Sequence, residues 1–285
     1  MFTLSVFADE IAADLETQVQ HMRKMQVNYL EFRSAWGVNV KDMDDDQIAE
    51  VHQTCENNGI AVSCIGSPIG KSPVTAPLEN EIKNLERIFK VCDILGTRHI
   101  RMFSFYPPAE TPQADYDSYL DLSIVRLSRL SEMAERAGCT LVMENDLELV
   151  GDTVERCKTI LDAVDNPHLR HAWDPGNFVL AGVEQPTTRG WEQLESYLGY
   201  VHIKDARRAD RSWRAAGEGD AQIPELLQAV RRSDYRGMLA VEPHPFSVDG
   251  RGKLEGAEGT GYAVSALRKV LANLGYDETG DFSKS

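Results

Sequence analysis

Four short apolar runs in the second half of the chain each end on a side chain that can bind a metal or move a proton. They are Val142-Met143-Glu144, Ala172-Trp173-Asp174, Tyr200-Val201-His202 and Ala240-Val241-Glu242. Their polar ends fall 30, 28 and 40 residues apart, and a strand–helix–strand unit occupies about 30 residues. This spacing predicts successive parallel strands with the polar residue at each carboxyl end. In a closed (β/α)8 barrel those ends converge on one mouth, where the active site lies. Two glutamates, an aspartate and a histidine meeting there make an oxygen-rich site for one divalent metal ion. Taken singly, each has a blander reading: a solvated loop glutamate, a turn-forming aspartate before Pro-Gly, a core histidine. Turn chemistry does not account for all four at once.

The rest of the chain continues the alternation. Strands are expected at 3–7, 28–33, 60–65, 98–104, 140–144, 170–174, 200–204 and 238–242. Helices are expected near 14–25, 44–58, 77–95, 114–137, 153–164, 188–198, 222–232 and 257–274. Eight alternations predict the α/β class and a single (β/α)8 TIM barrel over residues 1–275, with a polar tail at 276–285. An open doubly wound sheet would carry a glycine-rich phosphate loop after its first strand; Phe7-Ala8-Asp9-Glu10 has none. Gly59, Gly96 and Gly138 stand where helices stop, and Asp152 is placed to cap the fifth helix.

Side chains alternate faces along a strand. Val142 and Glu144, Ala172 and Asp174, Tyr200 and His202, Ala240 and Glu242 therefore share the axis face. Met143, Trp173, Val201 and Val241 face the helices. His171 falls on that apolar side, where a hydrogen-bonded core histidine is expected. Segments 66–76 and 205–221 are rich in Gly, Pro or charge and leave the same mouth. They are expected as loops that close over a substrate.

Charge and cysteine content narrow the function. The formal net charge is −15, which argues against a nucleic-acid partner, since phosphate binding needs a basic surface. The 5 cysteines show no Cys-x-x-Cys spacing and read as buried reduced thiols. The amino terminus lacks a basic signal-peptide region, and no apolar run reaches about 18 residues. A cytoplasmic protein with no membrane span follows; a homo-oligomer is compatible with it.

Several motifs together carry a resemblance. They are Asp9-Glu10, Met143-Glu144-Asn145, Trp173-Asp174-Pro175-Gly176-Asn177, Val201-His202-Ile203-Lys204-Asp205, Gly217-Glu218-Gly219-Asp220 and Val241-Glu242-Pro243-His244. Over residues 3–272 the chain resembles the sugar-phosphate isomerase/epimerase family of xylose-isomerase-like TIM barrels. That superfamily also holds keto-sugar 3-epimerases, inosose isomerase and dehydratase, and endonuclease IV. The resemblance implies that Glu144, Asp174, His202 and Glu242 hold one divalent metal. Mn²⁺ is the first choice, with Mg²⁺, Co²⁺ or Zn²⁺ as alternatives. It also implies that Glu144 and Glu242 are the catalytic acid/base pair on opposite faces of the substrate. Arg208, six residues after His202, matches an arginine that contacts sugar oxygens in the keto-sugar epimerases. Two positions depart from those enzymes: Asn177 replaces a substrate-binding histidine, and Val150 replaces a glutamate. The ligands that endonuclease IV needs for further metals are missing.

Further candidates for substrate binding are Asn177, Lys204, His244 and Lys71. Lys204 shares the parity of His202 and either reaches the mouth or pairs with Asp174 or Glu242. His244 hydrogen-bonds a substrate hydroxyl or caps a loop. Lys71 and Arg207 can meet an anionic group, although no glycine-rich phosphate signature follows. Glu31 and Arg33 are expected to pair with each other. A metal-bound carbonyl lets a carboxylate remove the adjacent proton. Returning that proton on the other face is epimerisation, returning it to the neighbouring carbon is isomerisation, and losing a β-hydroxyl is dehydration. The expected function is a divalent-metal-dependent epimerase or isomerase of a keto-sugar, keto-glycoside or keto-inositol. The alternatives are a dehydratase or lyase on a related keto-polyol, or a non-catalytic sugar-binding subunit.

Overall fold

A computed structural model describes residues 2–248 and 252–278. The eight expected strands all form and are all parallel: β1 (Thr3–Val6), β2 (Tyr29–Phe32), β3 (Ala61–Ile65), β4 (His99–Met102), β5 (Thr140–Glu144), β6 (Leu169–Trp173), β7 (Leu198–Ile203) and β8 (Met238–Val241). They close into a barrel in sequence order. Closure comes from β8 pairing with β1 in the register Thr3↔Met238 through Val6↔Val241.

Nine helices are described: α1 (Leu15–Lys24), α2 (Asp45–Asn57), α3 (Glu79–Leu95), α4 (Leu120–Ala137), α5 (Val154–Val164), α6 (Pro175–Leu180), α7 (Pro186–Leu194), α8 (Ile223–Arg232) and α9 (Gly256–Asn273). Local chemistry sets most of their ends. Asp44 and Gln47 form a reciprocal capping box at α2, satisfying two of its free N–H groups. Gly96 and Gly138 end α3 and α4 at φ 71° and 63°, a left-handed turn that glycine makes without strain. At α5 the cap is Thr153, not Asp152. The Asp152 carboxylate is already engaged by Arg156 Nη1 (2.8 Å) and Gln113 Nε2 (2.6 Å). Helix α6 was not expected. Its cap is Asp174, and Pro175 sits in its first turn, where a missing N–H costs nothing.

Two separate cores follow the strand parity. Val142, Ala172, Tyr200 and Ala240 pack with Cys64 along the axis. Met143, Trp173, Val201 and Val241 belong to the larger core between strands and helices. His171 also lies in that outer layer, edge-on to Trp173 at 5.7 Å and 6.0 Å from Phe178. It is not hydrogen-bonded as expected: neither ring nitrogen has a partner among the described residues. Burial pushes its pKa down to about 3, so the ring packs as a neutral aromatic.

The two expected loops are tied down. Segment 205–221 contains an antiparallel hairpin, Asp205–Arg207 with Ser212–Arg214. The Asp205 carboxylate accepts from the N–H groups of Ala206, Gly217, Gly219 and Ala221 at 2.8–3.1 Å, so one buried side chain folds the segment. Segment 66–76 lies against 103–106. Phe103 N donates to Ile69 O, Tyr106 N to Ser72 O, and Val74 N to Tyr106 O. Gly70 (φ 84°) packs directly on the Phe103 backbone, where a Cβ would fall 2.0 Å from the carbonyl oxygen. Residues 276–278 also make contacts: Phe2 N donates to Asp277 O and Arg268 pairs with Glu278. The rest of the polar tail, 279–285, lies outside the described residues. No described helix is long and apolar enough to cross a membrane.

Candidate active site

Glu144, Asp174, His202 and Glu242 meet at the carboxyl ends of β5 to β8. Each is buried, and each offers a ligand atom within 4.8 Å of the others. Backbone and side chain cooperate to place them. Asn145 ties the ends of β5 and β6 together: its Nδ2 donates to Asp174 O (2.7 Å) and its Oδ1 accepts from Asp174 N (2.9 Å). Asp174 Oδ1 accepts from Asn177 N (2.8 Å). The aspartate is thus a helix cap with one oxygen and a site group with the other. Asn177 Nδ2 in turn donates to Glu144 Oε1 (3.1 Å). Gly176 makes this approach possible, since a Cβ there would meet Lys204 O at 2.8 Å.

His202 lies between two carboxylates. Its Nδ1 is 3.2 Å from Glu144 Oε1, and its Nε2 is 3.2 Å from Glu31 Oε2. Glu31 therefore does not pair with Arg33, as the sequence suggested. Arg33 instead reaches Asp9 (2.6 Å), Glu10 (2.5 Å) and Glu242 (3.3 Å). Strand register explains the difference: Glu31 stands opposite Cys64, on the axis face. Arg101 has the same explanation and was missed. It stands opposite Val142, and its Nη1 lies 3.3 Å from Glu144 Oε2 and 3.5 Å from Glu242 Oε1. The available signal was parity: a single arginine inside the apolar run His99-Ile100-Arg101-Met102, in phase with the site.

Lys204 contacts both expected partners, with Nζ 2.7 Å from Glu242 Oε2 and 3.0 Å from Asp174 Oδ2. His244 Nδ1 is 3.2 Å from Glu10 Oε1, and Lys71 Nζ is 2.7 Å from Asp146 Oδ2. Lys71, Lys204 and His244 line a mouth cavity of about 170 Å³ together with Arg33, Arg101 and Glu242. Arg208 is not among its lining residues. Its guanidinium donates to Glu184 Oε1 and Val183 O, both at 2.8 Å.

The charges shape one another. Burial alone would raise the Glu144 pKa, but His202 and Arg101 outweigh it and hold the group at about 2. Glu242 is likewise held low, against burial, by Lys204, His244 and Arg101. Asp174 goes the other way: burial, with Glu144 and Glu242 close by, raises it to about 7 despite Lys204. His202 is raised, against burial, by Glu144 and Glu31.

A divalent ion suits this donor set. Asp174 Oδ2 and both His202 nitrogens are buried with no hydrogen-bond partner of proper geometry among the described residues. Buried polar atoms without partners are rare, and an ion is one way to satisfy them at a site that also gathers three carboxylates. With Nδ1 toward Glu144 and Asp174 and Nε2 toward Glu31, the imidazole has the carboxylate-backed arrangement common to metal-binding histidines.

Comparison with known proteins agrees with the barrel. Residues 19–270 match the family described as xylose isomerase-like TIM barrel. The uncharacterized protein MJ1311 of Methanocaldococcus jannaschii is 25% identical over 126 residues, which is 43% of either chain. Thus the chain spans less than half the length of that curated relative. The probable 3-DHS dehydratase AsbF of Bacillus anthracis superposes with a TM-score of 0.73 at 16% identity, covering 94% of this chain and 99% of the other. L-ribulose 3-epimerase superposes with a TM-score of 0.71 at 17% identity, covering 96% and 97%. At such identities the likeness speaks for the fold.

Proposed function

Because the chain belongs to the xylose isomerase-like TIM barrel family, we propose that it is a divalent-metal-dependent epimerase or isomerase. Its substrate would be a keto-sugar, keto-glycoside or keto-inositol. The observation that supports this reading is the buried Glu144, Asp174, His202 and Glu242 cluster at the barrel mouth, which offers one ligand atom from each residue within 4.8 Å of the others. These four side chains would hold the ion, with Glu31 orienting His202. A divalent ion held there supplies Lewis acidity to a substrate carbonyl oxygen.

The acid/base pair is Glu144 and Glu242, on strands separated by β6 and β7. A base must be unprotonated at neutral pH, and Arg101 beside both groups, with Lys204 beside Glu242, favours their ionised form. Arg101 Nη1 lies within 3.3–3.5 Å of both, and both line the mouth cavity. One glutamate takes the proton beside the carbonyl, leaving an enediolate. That same glutamate can return the proton to the neighbouring carbon, whereas return to the opposite face uses the other glutamate in its protonated form, its proton having been taken from solvent. Asn177 holds Glu144 through a direct hydrogen bond, and so acts on the substrate through it.

Incubation of the Mn²⁺-loaded protein in D₂O with keto-sugars and inososes, read by NMR, tests this. Deuterium uptake beside the carbonyl without loss of water is the expected result. Formation of an enone would instead assign the dehydratase reading. No exchange with any member of the panel would leave a sugar-binding barrel and remove the enzymatic proposal.

A further inference from the structure

The mouth cavity is lined by four cationic side chains: Arg33, Lys71, Arg101 and Lys204. Its lining holds one side-chain amide, Asn39, and no serine, threonine or tyrosine hydroxyl. A neutral polyol is read by groups that both donate and accept, such as hydroxyls and amides. Apart from the carboxylates, this lining is nearly all donor. Resting on the function proposed above, we propose that the substrate carries a carboxylate, bound by Arg101 with Lys71 beside it.

Arg101 is the centre of the argument. It is 5% exposed, and its guanidinium lies between two aromatic rings, 5.0 Å from the centroid of Phe7 and 4.9 Å from that of Phe103. Two cation–π contacts restrain the guanidinium. Its donor fork is poorly used within the protein. Nη1 meets Glu144 at 3.3 Å and Glu242 at 3.5 Å, Nη2 meets Gly66 O at 3.4 Å, and Nε has no partner among the described residues. A desolvated guanidinium with long contacts and an idle donor is costly unless something else completes it. Lys71 extends the same surface toward the rim, with Nζ 4.3 Å from the Phe103 ring centroid.

The anion is a carboxylate rather than a phosphate. A planar fork matches a planar carboxylate with two parallel hydrogen bonds. Glu144, Asp146 and Glu242 also line the cavity and would repel a dianion more than a monoanion. Neither glycine of the 66–70 loop turns an N–H to a phosphate: Gly66 N donates to Phe32 O while its carbonyl faces Arg101, and Gly70 N donates to Glu81.

Three ligands that differ only at C6 test the inference: D-fructuronate, D-fructose and D-fructose 6-phosphate. Their binding to the Mn²⁺-loaded protein is measured by NMR titration. Fructuronate is expected to bind at least tenfold more tightly than the other two. That preference should fall to about twofold in Arg101→Gln. Lys71→Met, at the rim, should reduce it about threefold and controls for any folding defect in the buried variant. Equal binding of fructose and fructuronate, or no binding of fructuronate, overturns the proposal. Tighter binding of the phosphate overturns the carboxylate assignment. A preference that survives both substitutions shows the carboxylate on the metal instead and also overturns it. Deuterium exchange of neutral ketones, read on the wild-type protein, would remain intact in each of these cases, so the two proposals fail separately.

Discussion

His171 and His202 stand on neighbouring strands and are both fully buried, yet the two sides of the barrel wall treat them in opposite ways. His202 faces the axis between Glu144 and Glu31, which favour its charged form. His171 faces the helices among Trp173 and Phe178, where burial keeps it neutral. Burial by itself therefore does not set a histidine's charge. What differs is whether carboxylates stand beside the ring, as they do for His202 and not for His171 among the described residues.

The sharpest way to break the comparison is at the axis. Glu144→Gln and Glu242→Gln keep side-chain shape but remove a base, and each should lower turnover by about 10²–10⁴-fold. Wild-type turnover in either variant would take the chemistry away from this pair. If two bases operate, each variant should still exchange one epimer with D₂O while failing to complete inversion.

Metal affinity comes next. Asp174→Ala should weaken Mn²⁺ binding by at least about 100-fold in calorimetry, and Glu31→Gln by about 10–100-fold, as for carboxylates that orient a metal-bound histidine. Mn²⁺ at 100 times its Kd should stabilise the wild type by about 2.7 kcal/mol, seen as a higher Tm that Asp174→Ala does not share. Stoichiometric tight binding in Asp174→Ala would show that the ion sits elsewhere.

The outer histidine predicts a milder, acid-dependent effect. Its folded pKa of about 3 lies below the unfolded value of about 6.5. The native state thus binds fewer protons than the unfolded one below pH 6.5. Its contribution is fully present above that pH and is lost as pH falls, at about 1.4 kcal/mol per unit. Between pH 7 and 5 this amounts to about 2 kcal/mol. Urea unfolding of His171→Phe should show a flatter decline over that window than the wild type. Parallel declines would mean that His171 finds a proton acceptor in the folded state.

The smallest effect is expected at Arg208. It is paired with the exposed Glu184, and such pairs contribute about 1 kcal/mol or less. Arg208→Ala should change KM by no more than about fivefold, the equivalent of that energy. A rise of tenfold or more would bring Arg208 to the substrate and restore the role that the family resemblance implies.

The sequence by itself was enough for the strand–helix alternation, the axis parity and the convergence of Glu144, Asp174, His202 and Glu242. Each of these depends on short-range periodicity and on spacing along the chain, which a barrel converts directly into position. It was not enough to reveal Arg101 in the site, Glu31 behind His202, or Asp205 as the organiser of its loop. The misassigned Glu31–Arg33 pair has the same origin. These contacts join residues far apart in the chain, such as Glu31 with His202 or Arg33 with Glu242. Strand parity says which face a side chain takes. Which partner it meets across the axis is decided only when β8 pairs with β1 and the register around the closed ring is set.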